Sequence, residues 1–281
     1  MRLAVTGASG VIGRYVLVEL VKRQVDVIAI TRNPKNLEQW RDRIDIIEMD
    51  IGQASPAELD RVAAGTDNLI HLAWDGLPNY QSRHHFECEL PKQYRFLKGL
   101  VERGLPAMLV AGTCSEYGMQ SGALTENSPT LAVHAYGFAK DSLRRQLELL
   151  GRDLPFAMTW GRLFYTYGDG QPATSLYPLF RAAVLRGDKF FEMSGGEQLR
   201  DYLPLREVAS LLVRLAMRPT NAGLVNVCSG QPISVRRLVE GWVRDCGSSI
   251  QLNLGRYPYL DFEPLAFWGV RRKLESLLGQ P

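Results

Sequence analysis

The sequence predicts an α/β protein built on a Rossmann-like doubly wound parallel sheet, with a small C-terminal substrate-binding domain. Three observations predict it. Short apolar or β-branched runs at 2 to 6, 25 to 31, 44 to 49, 67 to 73, 106 to 112 and 155 to 163 read as strands covered on both faces. Between them, the segments 11 to 23, 85 to 103 and 137 to 150 carry apolar residues at helical spacing, such as Leu90, Leu97 and Val101, or Phe138, Leu143, Leu147 and Leu150. A glycine-rich turn, Thr6-Gly7-Ala8-Ser9-Gly10-Val11-Ile12-Gly13, joins the first strand to the first helix.

That turn has the form of a phosphate-binding loop. Gly7 permits a tight turn with positive φ, Gly10 lets the backbone approach a pyrophosphate, and Gly13 allows close packing of helix on strand. The helix start adds free N–H groups and a positive dipole end. Gly7, Ser9, Gly10, Val11, Ile12 and Gly13 are therefore candidate dinucleotide contacts. The second strand ends in Ile30-Thr31-Arg32-Asn33, where a fold that selects NAD usually carries an acid for the ribose 2′-hydroxyl. The Thr31 hydroxyl and Arg32 guanidinium can instead hydrogen-bond a 2′-phosphate, which favours NADP(H) and leaves NAD(H) open. After the third strand, Asp50-Ile51 either holds the adenine edge or starts a turn. Beyond about residue 165 glycine and proline become frequent, and loops and short elements are expected. Residues 1 to 165 form the predicted dinucleotide-binding part, with a later strand near 224 to 228 returning to the sheet, and 166 to 281 mainly the substrate side.

Composition sets the wider frame. The 281 residues are 46% apolar and 22% charged, enough for a large core, and 33 basic against 30 acidic residues are spread without long runs. Nucleic-acid binding therefore has little support. Cys88, Cys114, Cys228 and Cys246 lack metal-ligand spacing, so no metal is expected. No apolar stretch reaches the ~20 residues of a membrane span, and Met1 leads directly into the first strand, so a cytoplasmic protein without membrane contact is expected.

The chemistry-bearing residues come later. Tyr136-Gly137-Phe138-Ala139-Lys140 puts a phenol and an ammonium four residues apart, on one helix face. A neighbouring ammonium lowers a phenol pKa, which would let Tyr136 exchange a proton with a carbonyl or hydroxyl oxygen. Lys140 can also hydrogen-bond a nicotinamide ribose. Thr113 falls just past the fifth predicted strand, at the carboxyl edge where such sheets bind ligands, and its hydroxyl can hold a substrate oxygen.

Through nearly its whole length the chain resembles the extended short-chain dehydrogenase/reductases, the NAD-dependent epimerase/dehydratase family, which act mostly on nucleotide sugars. The matching residues are Thr6-Gly7-x-x-Gly10-x-x-Gly13, Thr113 four residues before Tyr117-Gly118, Tyr136-x-x-x-Lys140, and Arg162 with Tyr167-Gly168. Arg200-Asp201-Tyr202 and Asn226-Val227 with Ser229-Gly230 resemble two further family elements. The resemblance implies that Thr113, Tyr136 and Lys140 are catalytic, and that Leu72, Ala73 and Trp74, after His71, line the cofactor. It also implies that Arg200 and Asn226 touch a substrate diphosphate, with solvation the plain alternative for Arg200.

Departures from the family pattern narrow the activity. Cys114-Ser115 stands where 4,6-dehydratases carry an Asp-Glu pair, which argues against dehydration. Glu89 and Tyr165 replace two asparagines common around the family's site. Cys114 and His134 either exchange protons beside a ketone, as in an epimerase, or serve packing and loop hydrogen bonding. Trp74, Cys114, Ser115, His134 and Tyr165 are candidate substrate contacts, with Tyr80 and His84 nearby in the same reading. Pro258-Tyr259-Leu260 and the run Glu263 to Trp268 resemble endings of nucleotide-deoxysugar reductases. The resulting expectation is an NADP-dependent reductase of a nucleotide-linked 4-keto-6-deoxy sugar, with an NAD-dependent 4-epimerase as the rival and a non-catalytic NADP sensor as the alternative from another class. A homodimer formed through the helices at 85 to 103 and 137 to 150 is expected, although both faces could equally bury against the sheet.

Overall fold

The computed structural model describes residues 1–218, 220–259 and 264–279, so Leu260 and Glu263 of the C-terminal resemblance lie outside the described residues. The strands, in chain order, are β1 (Arg2–Thr6), β2 (Asp26–Thr31), β3 (Asp45–Glu48), β4 (Asn68–His71), β5 (Ala107–Thr113), β6 (Gly122–Leu124), β7 (Ala157–Leu163), β8 (Tyr165–Tyr167), β9 (Phe190–Glu192), β10 (Leu199–Pro204), β11 (Gly223–Val227), β12 (Pro232–Ser234), β13 (Gln251–Asn253) and β14 (Phe267–Gly269). The helices are α1 (Val11–Lys22), α2 (Pro56–Ala63), α3 (Leu90–Val101), α4 (Ala135–Asp153), α5 (Leu176–Arg186), α6 (Leu205–Ala216), α7 (Val235–Asp245) and α8 (Arg272–Leu278).

Seven parallel strands form the main sheet in the order β11-β7-β5-β4-β1-β2-β3. The chain starts in the middle, winds outward through β2 and β3, and returns past β1 to β4, which creates a switch point at the carboxyl ends of β1 and β4. Side chains alternate across the sheet. Leu3 and Val5 face a core built with Leu17 and Leu20 of α1, Val208 and Leu212 of α6 and Leu274 of α8. Ala4, Leu69, Val110 and Trp160 face the opposite core, with Val62 of α2, Phe96 and Leu97 of α3, and Leu143 and Leu147 of α4. A doubly wound sheet follows because apolar residues at successive strand positions require cover on both faces. Among the described residues no helix is long and apolar enough to cross a membrane.

The expectation of loops and short elements after residue 165 is corrected. Helix α6 is twelve residues long and its apolar face completes the core under β1. A separate core gathers Phe180, Phe191, Val239, Trp242 and Ile250 from α5, β9, α7 and the segment before β13. The glycines and prolines that suggested loops lie partly in the connections and partly inside the helices themselves, as with Pro178 in the first turn of α5 and Gly241 in α7, where tertiary packing overrides their low helix propensity.

Two helix boundaries also differ. The segment expected as one helix over 85 to 103 begins with a π-helical turn at His85–Glu89 before α3. Helix α4 starts two residues earlier than expected, because the His134 ring nitrogen accepts the Gly137 N–H and caps the helix. Histidine is not among the residues whose short side chains signal an N-cap. The earlier start brings Tyr136 into the first helical turn, so Tyr136 and Lys140 do share one face.

The turn from β1 to α1 is steric. Gly7 has φ of +66°, and a Cβ there would stand 2.8 Å from the Ala73 nitrogen. At Gly13 a Cβ would meet the Gly7 carbonyl oxygen at 2.1 Å, so the glycine packs the helix on the turn itself rather than on the strand. Gly13→Ala is expected to destabilise the protein by roughly 1–3 kcal/mol through overpacking. Urea denaturation with an unchanged midpoint would contradict this packing.

Candidate functional site

Two concavities lie at the carboxyl edge of the sheet, and a third, lined by the elements after residue 165, joins the second. The first, a groove over the switch point, is lined by Gly7, Ser9, Gly10, Thr31, Arg32, Asp50, Ile51, Leu72, Ala73 and Trp74, ten of the predicted cofactor contacts. Gly10 caps helix α1 without a side-chain hydrogen bond, and the helix has no acid in its first turn. Its free N–H groups and dipole therefore remain available to an anion, which fits a dinucleotide pyrophosphate. Val11 and Gly13 do not line this groove, and Ile12 lines the neighbouring cavity.

Around the groove, Asp50 faces the cavity and accepts the Gly52 N–H at 2.9 Å, which is the turn-starting role of the two readings. Ser9 and Thr31 hydroxyls meet at 3.2 Å. Arg32 is exposed and pairs with Asp75 at 3.1 Å. A buried chain of hydrogen bonds lies beneath. Glu89 accepts from the Gln93 amide at 2.8 Å, and the Gln93 oxygen accepts from His71 Nε2 at 2.8 Å. His71 Nδ1 then accepts from the Thr6 hydroxyl at 2.8 Å, whose oxygen receives the Leu72 and Ala73 N–H groups. Burial, reinforced by the Lys140 charge, depresses the His71 pKa to about 3, so the ring is neutral and this donor order is consistent.

The second cavity brings together Thr113, Tyr136, Cys114, Ser115, His134 and Tyr165. Thr113 is the last residue of β5, so the strand ends one position later than the sequence reading placed it. Lys140 does not line this cavity but is buried behind it: its ammonium donates to the Ala111 carbonyl at 2.9 Å and lies 4.0 Å above the Trp74 ring. Tyr136 sits in an aromatic cage of Trp74, Tyr80, His85 and His134, with centroids 5.3 to 6.3 Å away.

The expected electrostatics of this pair are corrected. Burial, joined by Tyr80, Glu116 and Cys114, raises the Tyr136 pKa above its ordinary value, and the hydrogen bond to Thr113 only partly opposes it. The Lys140 ammonium, 5.9 Å from the phenol ring centroid, does not reverse that balance. Burial also lowers Lys140 to about 7, against the pull of Glu116 and Glu89. In the protein alone, therefore, the phenol is protonated and the lysine titrates near neutrality.

Thr113 is held from below. Its N–H donates to Glu116 at 2.9 Å, and its hydroxyl oxygen accepts the Ser115 N–H at 3.2 Å. Glu116 is fully buried and receives Arg162 Nε at 2.6 Å and Trp160 Nε1 at 3.0 Å. Sequence reasoning missed Glu116 as a site element, although the Thr113-x-x-Glu116 capping box was a legible signal.

The third concavity contains Arg200 with Tyr165, Tyr202, Gln198, Tyr257 and Tyr259, and Tyr165 joins it to the second. Arg200 donates to the Leu199 and Leu265 carbonyls and lies 5.0 Å from the Phe267 ring centroid. Asn226, expected at a substrate diphosphate, is buried on β11 and lines none of the three. Its side chain accepts from Tyr117 at 2.7 Å and donates to Leu124 at 2.9 Å, so the amide is spent inside the protein. Among the described residues no cluster of metal-ligating side chains is present.

A phosphate-binding turn at the switch point and a Thr-Tyr-Lys set beside it define a dinucleotide-binding protein of the short-chain dehydrogenase/reductase type. The chain belongs to the NAD dependent epimerase/dehydratase family, whose profile matches residues 3–228. It is 28% identical over 272 residues, 96% of this chain and 100% of the relative, to a dTDP-6-deoxy-L-talose 4-dehydrogenase (NAD(+)) of Aggregatibacter actinomycetemcomitans. It is 22% identical over 249 residues, 84% of this chain and 79% of the relative, to the dTDP-4-dehydro-6-deoxyglucose reductase of Escherichia coli. In three dimensions it is similar to a UDP-N-acetylglucosamine 4-epimerase from Methanobrevibacter ruminantium M1 solved with UDP-N-acetylmuramic acid. That likeness has a TM-score of 0.88 at 21% identity and covers 100% of this chain and 92% of the other; at that identity it shows the fold.

The depressed Lys140 pKa has a stability consequence. Between about 7 and 10.5 the unfolded chain binds a proton that the folded chain does not, so stability rises with pH through that window. The contribution is complete above 10.5 and is lost as pH falls through about 7. The stability of wild type relative to Lys140→Met is therefore expected to improve from pH 7 to 10; a difference that is flat with pH would contradict the assignment.

Proposed function

We propose that the chain is an NADP(H)-preferring reductase of a nucleotide-linked 4-keto-6-deoxy sugar. The observation that carries the reading is that Thr113 and Tyr136 line one cavity, which meets the Arg200 concavity at Tyr165, while the buried Lys140 ammonium lies behind them, 5.9 Å from the Tyr136 ring centroid. When bound, the dinucleotide supplies the hydride; Gly7, Gly10, Thr31, Arg32 and Ile51 would hold it. Burial keeps Tyr136 protonated, which is the form required to deliver a proton to the carbonyl oxygen during reduction. Thr113 orients that oxygen, and the Lys140 ammonium stabilises the phenolate left behind and anchors the ribose. Residues after 165 would chiefly hold the substrate, with Tyr165 and Arg200 on the path from sugar to diphosphate.

Support for the substrate class comes from relatives whose names specify dTDP-linked deoxysugars. Cys114-Ser115 in place of an Asp-Glu pair supports reduction over dehydration. His134 serves as a helix cap, which leaves its ring engaged and weakens an epimerase role for it. Purified protein is expected to consume NADPH with a panel of UDP-, dTDP-, CDP- or GDP-linked 4-keto sugars. Stoichiometric bound NAD without NADPH consumption would establish the 4-epimerase reading instead. Tyr136→Phe is expected to lower turnover by about 10²–10⁴-fold with dinucleotide binding retained, whereas a silent NADP sensor would show no turnover to lose.

The protein is also proposed to act as a homodimer in the cytoplasm, without nucleic-acid or membrane partners. Phe138 and Leu149 of α4 are exposed, and Phe86 meets the Phe138 ring edge-on at 6.1 Å. Phe138→Glu is expected to shift the sedimenting species from dimer to monomer; a wild-type monomer at all concentrations would exclude the dimer.

A further inference from the structure

The switch-point topology places two loops on either side of the β1 turn: the one after β2, carrying Arg32, and the one after β4, carrying Asp75. Both line the adenosine end of the groove with Thr31 and Asp50. The acid that an NAD-selective fold carries at the end of the second strand is missing there, yet a carboxylate enters the same region from across the turn. Asp75 is not a loosely placed surface residue. Its N–H donates to the buried Glu89 carboxylate at 3.1 Å, one side-chain oxygen accepts the Gly76 N–H at 3.0 Å, and the other meets Arg32 at 3.1 Å. Partial burial works against its charge, but the Gly76 N–H, Arg32 and Lys92 hold its carboxyl below the ordinary range, so it is ionised at neutral pH.

We infer that Asp75 is a specificity-determining residue for the dinucleotide, competing with an adenosine 2′-phosphate for Arg32 and so restraining the preference of the site for NADP over NAD. The inference rests on the proposed contact between Arg32 and a 2′-phosphate. A second anion beside an arginine already paired must displace or repel the first, whereas an uncharged 2′-hydroxyl does neither. The Arg32–Asp75 pair is exposed, so the effect is modest and screened by salt.

Titration calorimetry of the ligand-free protein with NAD⁺ and NADP⁺ tests this directly, comparing wild type, Asp75→Asn and Arg32→Ala. Asparagine retains the oxygen that accepts the Gly76 N–H, so the loop is expected to hold its shape. Asp75→Asn should tighten NADP⁺ by about two- to fivefold, the scale of an exposed ion pair, leave NAD⁺ nearly unchanged, and lose its effect at high salt. Arg32→Ala should weaken NADP⁺ selectively by roughly tenfold. If Arg32→Ala lowers NADP⁺ affinity but Asp75→Asn leaves the NADP⁺/NAD⁺ ratio as it was, the inference fails while the NADP reading stands. Equal weakening of both dinucleotides by Asp75→Asn would show a loop-positioning residue only and also overturn it. An unchanged ratio in Arg32→Ala would remove the 2′-phosphate assignment on which the inference depends.

Discussion

Glu116 is a carboxylate entirely removed from water, and burying a charge is tolerable only when its partners are near and well aligned. Those three partners come from two adjacent strands: the Thr113 N–H at the end of β5, and Trp160 and Arg162 on β7. The guanidinium of Arg162 also lies 4.3 Å over the Tyr117 ring, and the Tyr117 hydroxyl reaches Asn226 on β11. One buried charge thus ties the carboxyl ends of three adjacent strands together directly beneath Thr113. Burial raises the Glu116 pKa while Arg162 pulls it back, so breaking the pair would leave an uncompensated charge in the core. The small space around Gly112, where a Cβ would stand 2.1 Å from the Trp160 indole nitrogen, shows how closely the network is packed.

A second polar chain holds the cofactor side. Glu89, Gln93, His71 and Thr6 connect the π-helical turn, α3, β4 and β1, and the chain ends on the N–H groups of Leu72 and Ala73. Those amides face the turn at Gly7, where Ala73 leaves no room for a side chain. The groove is therefore shaped by a network of which His71 and Thr6 lie beneath it while Glu89 and Gln93 also line it. Glu89 is also joined by Lys92, which partly balances a carboxylate that would otherwise be stranded.

Lys140 lies between these two networks. Both buried carboxylates favour its charge, while desolvation opposes it, and the result is a lysine poised near neutrality. Tyr136, in an aromatic cage with a polar hydroxyl end, experiences the same desolvation, which the Lys140 ammonium does not outweigh while no substrate is bound, and stays a phenol. The site thus separates a proton holder from a group able to exchange charge within a single helical turn.

Local features were legible in the sequence because they depend on the chain near themselves. The positive φ at Gly7, the period of the strands, and the shared face of Tyr136 and Lys140 all follow from backbone sterics and helical geometry. Arg32 and Asp50 were legible as types, and the rim they occupy is where the turn required it. What only the tertiary structure decided are pairings between residues far apart in the chain. Glu116 with Arg162, Glu89 with His71 through Gln93, and Arg32 with Asp75 depend on which strands are neighbours. The spending of Asn226 inside the protein and the raised pKa of Tyr136 have the same origin, since burial is a property of the assembled fold and carries no local sequence signature.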